Sequence, residues 1–209
     1  MNRQDFRLAG TDAQVSALRL QSDDLSLTPR DLAEAPKGET REAFLRRRAA
    51  TRRLAAQRLG VAPTEVEIGR DAKGAPRLLK PEAQLRLSVS GRDDFCAIAL
   101  ASSPVGVDIE PLDPKAEPVW SALHPSEAAL LRALSDDAQG EAFLRLWTAK
   151  EAYLKALGSG LSREPAGIAV DLDFRFVEGG AEVPLSAREW RVIELAGREF
   201  LIACVALGG

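Results

Sequence analysis

The chain has 209 residues, 45% of them apolar, and a net charge of -3. That is enough for one large domain or two small ones around a real core, and the slightly acidic balance argues against general attraction to nucleic acid. No apolar run approaches the roughly 20 residues of a membrane helix. Residues 1–19 lack the apolar stretch of a secretory signal, so a cytoplasmic protein is expected.

In chain order, residues 14–20 alternate like a strand, and 22–40 are polar, as in a loop or short helix. A helix is expected over 41–59, ended by Gly60 as a C-terminal cap. Within it Arg41, Arg46, Arg47, Arg48, Arg52, Arg53 and Arg58 face only Glu42, a pattern that fits either an anion-holding face or a plain basic surface. Strand-like runs follow at 65–68, 85–88 and 95–101, bounded by Gly, Pro and Asp clusters.

The 105–110 segment reads as a strand and 111–118 as an exposed, Pro-rich connection, before a helix opening at Ser126. A second long helix over 140–157 ends at Gly158, followed by strands at 168–177, 190–195 and 200–207. Each half thus runs helix, strand, strand, strand. The pattern predicts an α+β fold, a pseudo-dimer of two similar helix-plus-antiparallel-sheet halves, 1–104 and 105–209, and a monomer whose halves supply their own interface.

The chemistry has few sources. His124 is the single histidine, which excludes a multi-histidine metal site. Cys96 and Cys204 lie in apolar runs and read as buried thiols. In a strand over 105–110, Asp108 and Glu110 share one face. On a helix, Trp147, Glu151 and Lys155 align at four-residue spacing, with Lys150 about 100° away. Taken singly, these also fit a solvated strand end and an ordinary Glu–Lys pair. Together, three carboxylates suit a hard divalent cation such as Mg²⁺, and the lysines suit a diphosphate.

Gly106-Val107-Asp108-Ile109-Glu110, followed by the Trp147 to Leu161 run W-T-A-K-E-A-Y-L-K-A-L-G-S-G-L, resembles the Sfp-type 4'-phosphopantetheinyl transferases. Ser88 to Gly91 (S-x-S-G) and Ser126-Glu127 extend the likeness over roughly 41–170. The resemblance implies Mg²⁺-dependent transfer of the phosphopantetheine arm of coenzyme A to a carrier-protein serine. It also implies Asp108, Glu110 and Glu151 as metal ligands, Glu151 as the base directly or through water, Lys155 on the diphosphate, and Lys150 assisting.

Gly74, Pro76 and Ser88 match coenzyme A-binding positions of that family. The chain departs from it at Ala75, where the family carries lysine in G-K-P, and at Val89, where it carries histidine in N-x-S-H-S-G. Arg48, Arg52 and Arg86 are the expected replacements, since guanidinium suits a phosphate monoester. The alternative is a non-catalytic homologue that binds coenzyme A or a carrier protein.

Overall fold

The computed structural model describes residues 1–20, 26–38, 40–159 and 163–208. Strands β1 (Arg3–Arg7) and β2 (Gln14–Arg19) lead to helices α1 (Pro29–Glu34) and α2 (Thr40–Leu59). Then come β3 (Glu67–Arg70), β4 (Pro76–Lys80), β5 (Arg86–Arg92) and β6 (Phe95–Ala101). All six strands form one antiparallel sheet in the order β1-β2-β6-β5-β4-β3.

Strand β7 (Val105–Pro111) opens the second half and is followed by helices α3 (Pro125–Arg132) and α4 (Asp136–Ala156). Short strands β8 (Ile168–Val170), β9 (Phe176–Glu178) and β10 (Ala181–Glu182) make a small sheet. Strands β11 (Ala187–Leu195) and β12 (Arg198–Ala206) join β7 in the order β11-β12-β7. The mixed helix and antiparallel-sheet architecture in two halves agrees with the expectation.

Strand alternation builds the layers. On β6, Cys96, Ile98 and Leu100 face Ala50, Leu54 and Ala55 of α2, while Phe95, Ala97, Ala99 and Ala101 face the second sheet. Across that middle layer stand Val105, Val107 and Ile109 of β7, with Phe200, Ile202, Cys204 and Ala206 of β12. The opposite faces of β7 and β12 carry α4, against which Ala203 and Val205 pack. The order is helix, sheet, sheet, helix. Both cysteines are buried free thiols, and burial pushes each up to about 12.

Several elements differ from expectation. β1 and β4 are additional strands, each with only intermediate or exposed positions, so hydrophobic alternation does not mark them. The continuous strand over 168–177 is broken into β8 and β9, because Asp171 Oδ1 accepts from the amides of Asp173 and Arg175 and Phe174 turns to φ 63°. Helix α4 starts four residues earlier than expected, with Asp136 and Asp137 at its N-terminal turn where the helix dipole favours them. Of the expected 22–40 segment, α1 is the helical part, and residues 22–25 and 39 lie outside the described residues, as do Gly160 and Leu161 of the second motif.

Helix α4 lies on β7 without room for a side chain at Gly106. A Cβ there would sit 1.8 Å from the Ala152 carbonyl oxygen and 2.6 Å from the Ala156 nitrogen. Gly140 allows a similar approach of the Pro114 carbonyl at the other end of the helix. Gly106→Ala is therefore expected to lower the melting temperature, by overpacking of at least about 1–3 kcal/mol. Gly167→Ala, with open space around the added methyl, should leave it nearly unchanged in the same thermal denaturation.

Candidate active site

The close approach of α4 to β7 decides which side chains meet. Asp108 and Glu110 follow Gly106 on the α4 side of β7, and Glu151 and Lys155 lie one turn apart on α4. Lys155 Nζ donates to Asp108 Oδ1 at 2.7 Å and stands 3.9 Å from Glu151 Oε2. With Ser90, Arg92 and Trp147 they line one cleft of about 360 Å³. Asp108 and Glu110 are buried and Glu151 is half-buried. Burial, helped by the neighbouring Asp108 and Glu110 charges, pushes Glu151 above the ordinary carboxylate range, against the opposing pull of Lys155 and Arg92. A carboxyl displaced in that direction is a better proton acceptor at neutral pH.

The strand beside β7 completes the cleft. Ser90 Oγ donates to Asp108 Oδ1 at 2.6 Å, and Arg92 donates from Nε and Nη2 to both oxygens of Glu110 at 2.6 and 2.5 Å. That pair raises Arg92 above its usual value. Ser90 belongs to the S-x-S-G stretch, whereas Arg92 stands out in the sequence only by spacing, since Ser88, Ser90 and Arg92 occupy one face of a strand.

Among the described residues, no three metal-ligating side chains already converge on one point, because Lys155 and Arg92 are in contact with the acids. Asp108 Oδ2 and Glu151 Oε1 are nevertheless buried and accept no hydrogen bond from the described residues. Orphaned carboxylate oxygens at this depth fit a hard cation. Asp108, Glu110 and Glu151 are the residues able to hold it.

A second cavity of about 210 Å³ shares Arg47 and Val89 with the acid cleft and is also lined by Phe44, Arg70, Gly74 and Pro76. Arg47 reaches it across Gly91, where a Cβ would stand 2.7 Å from Arg47 Cδ. Burial, and to a lesser degree Arg70, lowers Arg47. Arg70 packs 5.0 Å from the Phe44 ring centroid. A third groove of about 250 Å³ gathers Arg86, which is exposed, with Pro76 and Lys155. The larger groove of about 480 Å³ between α2 and β1–β2 contains none of the expected site residues.

Four expected ligands are engaged elsewhere. Arg52 is fully buried and donates to the carbonyls of Val66 and Ser26 and to Asp31. Arg48 donates to the Ile68 carbonyl and to Glu34 at 2.9 Å, leaving only its flank to the second cavity. The acids that neutralise them come from α1, outside the helix whose charge pattern suggested a free basic face. Ser88 Oγ accepts the Val107 amide at 3.0 Å and ties β5 to β7. Lys150 is buried on the far side of α4, 2.5 Å from Glu127, and donates to the Ala122 and Pro165 carbonyls. Burial lowers Lys150 despite Glu127.

Comparison with known proteins agrees with the geometry. Residues 104–204 match the model of the 4'-phosphopantetheinyl transferase superfamily. The 4'-phosphopantetheinyl transferase HetI of Nostoc sp. is 29% identical over 91% of this chain and 82% of its own length. The 4'-phosphopantetheinyl transferase AcpT of Escherichia coli O157:H7 is 36% identical over 60% of this chain and 62% of its own. The 4'-phosphopantetheinyl transferase Sfp of Bacillus subtilis is 37% identical over 39% and 36%. The chain thus spans most of the first relative and less than two thirds of the other two.

Glu127 also accepts from the amides of His124 and Val170 at 2.8 Å, so the Lys150 pair pins α3 and β8 to α4. Lys150→Met is expected to destabilise the fold by about 3–5 kcal/mol, because it leaves a buried carboxylate uncompensated. Adding Glu127→Gln should recover part of that loss in chemical denaturation. No recovery would mean that the pair is not the cause.

Proposed function

We propose that the chain is an Sfp-type enzyme that transfers the 4'-phosphopantetheine arm of coenzyme A to a serine of an acyl or peptidyl carrier protein. Adenosine 3',5'-bisphosphate is the second product. The observation that carries this reading is the meeting of Asp108, Glu110, Glu151 and Lys155 in one cleft. The halves 1–104 and 105–209 act as one monomer in this reading, with the cleft at their junction, in the cytoplasm where coenzyme A is available.

The serine oxygen bonds to the phosphorus that carries the pantetheine arm, and the bond from that phosphorus to the bridging oxygen of the diphosphate breaks. Glu151 takes the serine proton, directly or through water, as a carboxylate of the cleft that stands beside Lys155. Lys155 offsets the charge that develops on the departing phosphate. A Mg²⁺ ion held by Asp108, Glu110 and Glu151 would neutralise the diphosphate. No protein nucleophile is required, which agrees with two buried, inert thiols and a single histidine occupied in capping α3.

For the nucleotide end, Arg47 and Arg70 replace Arg48 and Arg52 as the expected anion ligands. They line one cavity, have no carboxylate partner within ion-pair distance among the described residues, and neighbour the Ala75 and Val89 positions. Gly74 and Pro76 form its far wall, Phe44 supplies an apolar face, and Arg86 guards the adjoining groove beside Lys155.

Incubating apo carrier proteins with the protein, coenzyme A and Mg²⁺ should add one phosphopantetheine by intact mass spectrometry, and chelator should abolish the gain. Glu151→Gln should lower kcat by about 100-fold or more; full activity in that variant would sink the mechanism. Arg47→Ala or Arg70→Ala is expected to raise KM for coenzyme A about tenfold with kcat largely kept, as loss of a charged contact to phosphate predicts. Arg52→Met should instead lower thermal stability and leave the KM of the folded fraction unchanged.

A further inference from the structure

The face of β5 that carries Ser88, Ser90 and Arg92 makes three successive contacts with β7, to the Val107 amide, Asp108 and Glu110. The first is buried. The last differs in exposure, since the Glu110 side chain is 9% exposed and that of Arg92 53%. Arg92 reaches inward from the rim of the cleft, with solvent behind it into which a long side chain can withdraw.

Charge and valence make this contact consequential. Three carboxylates share the cleft with Arg92 and Lys155, the two cations in contact with them, while Arg47 lines the cleft without an ion-pair contact to an acid among the described residues. Lys155 is a point donor that occupies Asp108 Oδ1 and leaves Oδ2 without a hydrogen bond. Arg92 occupies both oxygens of Glu110 with its fork. A divalent cation drawing on all three acids competes with that fork, by charge and for lone pairs, at the Glu110 oxygens.

We propose that Arg92 is a displaceable counter-ion of the acid cleft: it holds Glu110 in place and relieves repulsion among the acids until a divalent cation replaces it. The strength of its fork then sets the metal affinity of the cleft. Arg92 is a positioning residue in this scheme, acting through Glu110. The inference rests on the reading of Asp108, Glu110 and Glu151 as cation ligands.

The test is titration of the purified full chain with Mn²⁺, followed by electron paramagnetic resonance of the free ion, with and without coenzyme A. Wild type is compared with Arg92→Gln and Arg92→Lys, and thermal melts confirm that each variant is folded. Arg92→Gln should bind Mn²⁺ roughly two- to fivefold more tightly, the scale of a partly exposed charged pair. Arg92→Lys keeps the charge but loses the fork, and should bind more tightly than wild type by a smaller factor. Unchanged or weaker binding in Arg92→Gln would overturn the proposal while leaving the metal site intact. Tighter binding in Arg92→Gln with wild-type affinity in Arg92→Lys would overturn it too, by reducing Arg92 to a general field. Absence of Mn²⁺ binding in all three proteins would overturn the metal-site reading itself.

Discussion

The contact on which the site depends is backbone against backbone, where α4 crosses β7 at Gly106. A glycine there lets the Ala152 carbonyl come within a distance that no side chain tolerates. Asp108 and Glu110 lie two and four residues beyond it on the same strand face, and Glu151 and Lys155 flank Ala152 on the helix. Any residue larger than glycine would push the two sets apart and stretch contacts between them, such as that of Lys155 with Asp108 at 2.7 Å.

Around this contact the protein uses ions in two different ways. Buried pairs act as struts between elements: Lys150 with Glu127 is completed by backbone carbonyls and amides, and Arg52 with Asp31 is braced by backbone carbonyls and by Arg48, 3.8 Å from the otherwise unbonded Asp31 Oδ1. The pairs in the cleft are incompletely satisfied, with carboxylate oxygens left without donors and with cations that reach in from partly exposed positions. A saturated network rigidifies, whereas an unsaturated one retains capacity for a ligand. The same residue types thus separate into scaffold and site by whether they are sealed between elements or line a cleft that a ligand can enter.

The correspondence between sequence and structure follows the range of each signal. Helix α2, strand β6 and the pairing of Asp108 with Glu110 on one strand face come from periodicity, a local property. The break at Asp171 and the strands β1 and β4 escape it, because a side-chain turn and half-exposed strands have no hydrophobic period. The arginines of α2 show the limit most clearly. Seven positive charges against one acid look like an open basic face along the chain, yet Asp31 and Glu34 arrive from α1 and engage Arg52 and Arg48. Arg47, adjacent in sequence to Arg48, is instead passed across Gly91 into the cavity.

By itself the sequence determined the α+β character, the strand carrying two acids, and the helix carrying Glu151 and Lys155, because these depend on spacings of two and four residues. It also carried the motif that marks the superfamily. Tertiary structure alone decided that Lys150 faces away from the cleft while Lys155 enters it, that Ser90 and Arg92 hold the acids, and which arginines remain available to an anion. The physical reason is that a charge is functional or structural according to the groups that approach it through space, and those groups come from elements distant in the chain.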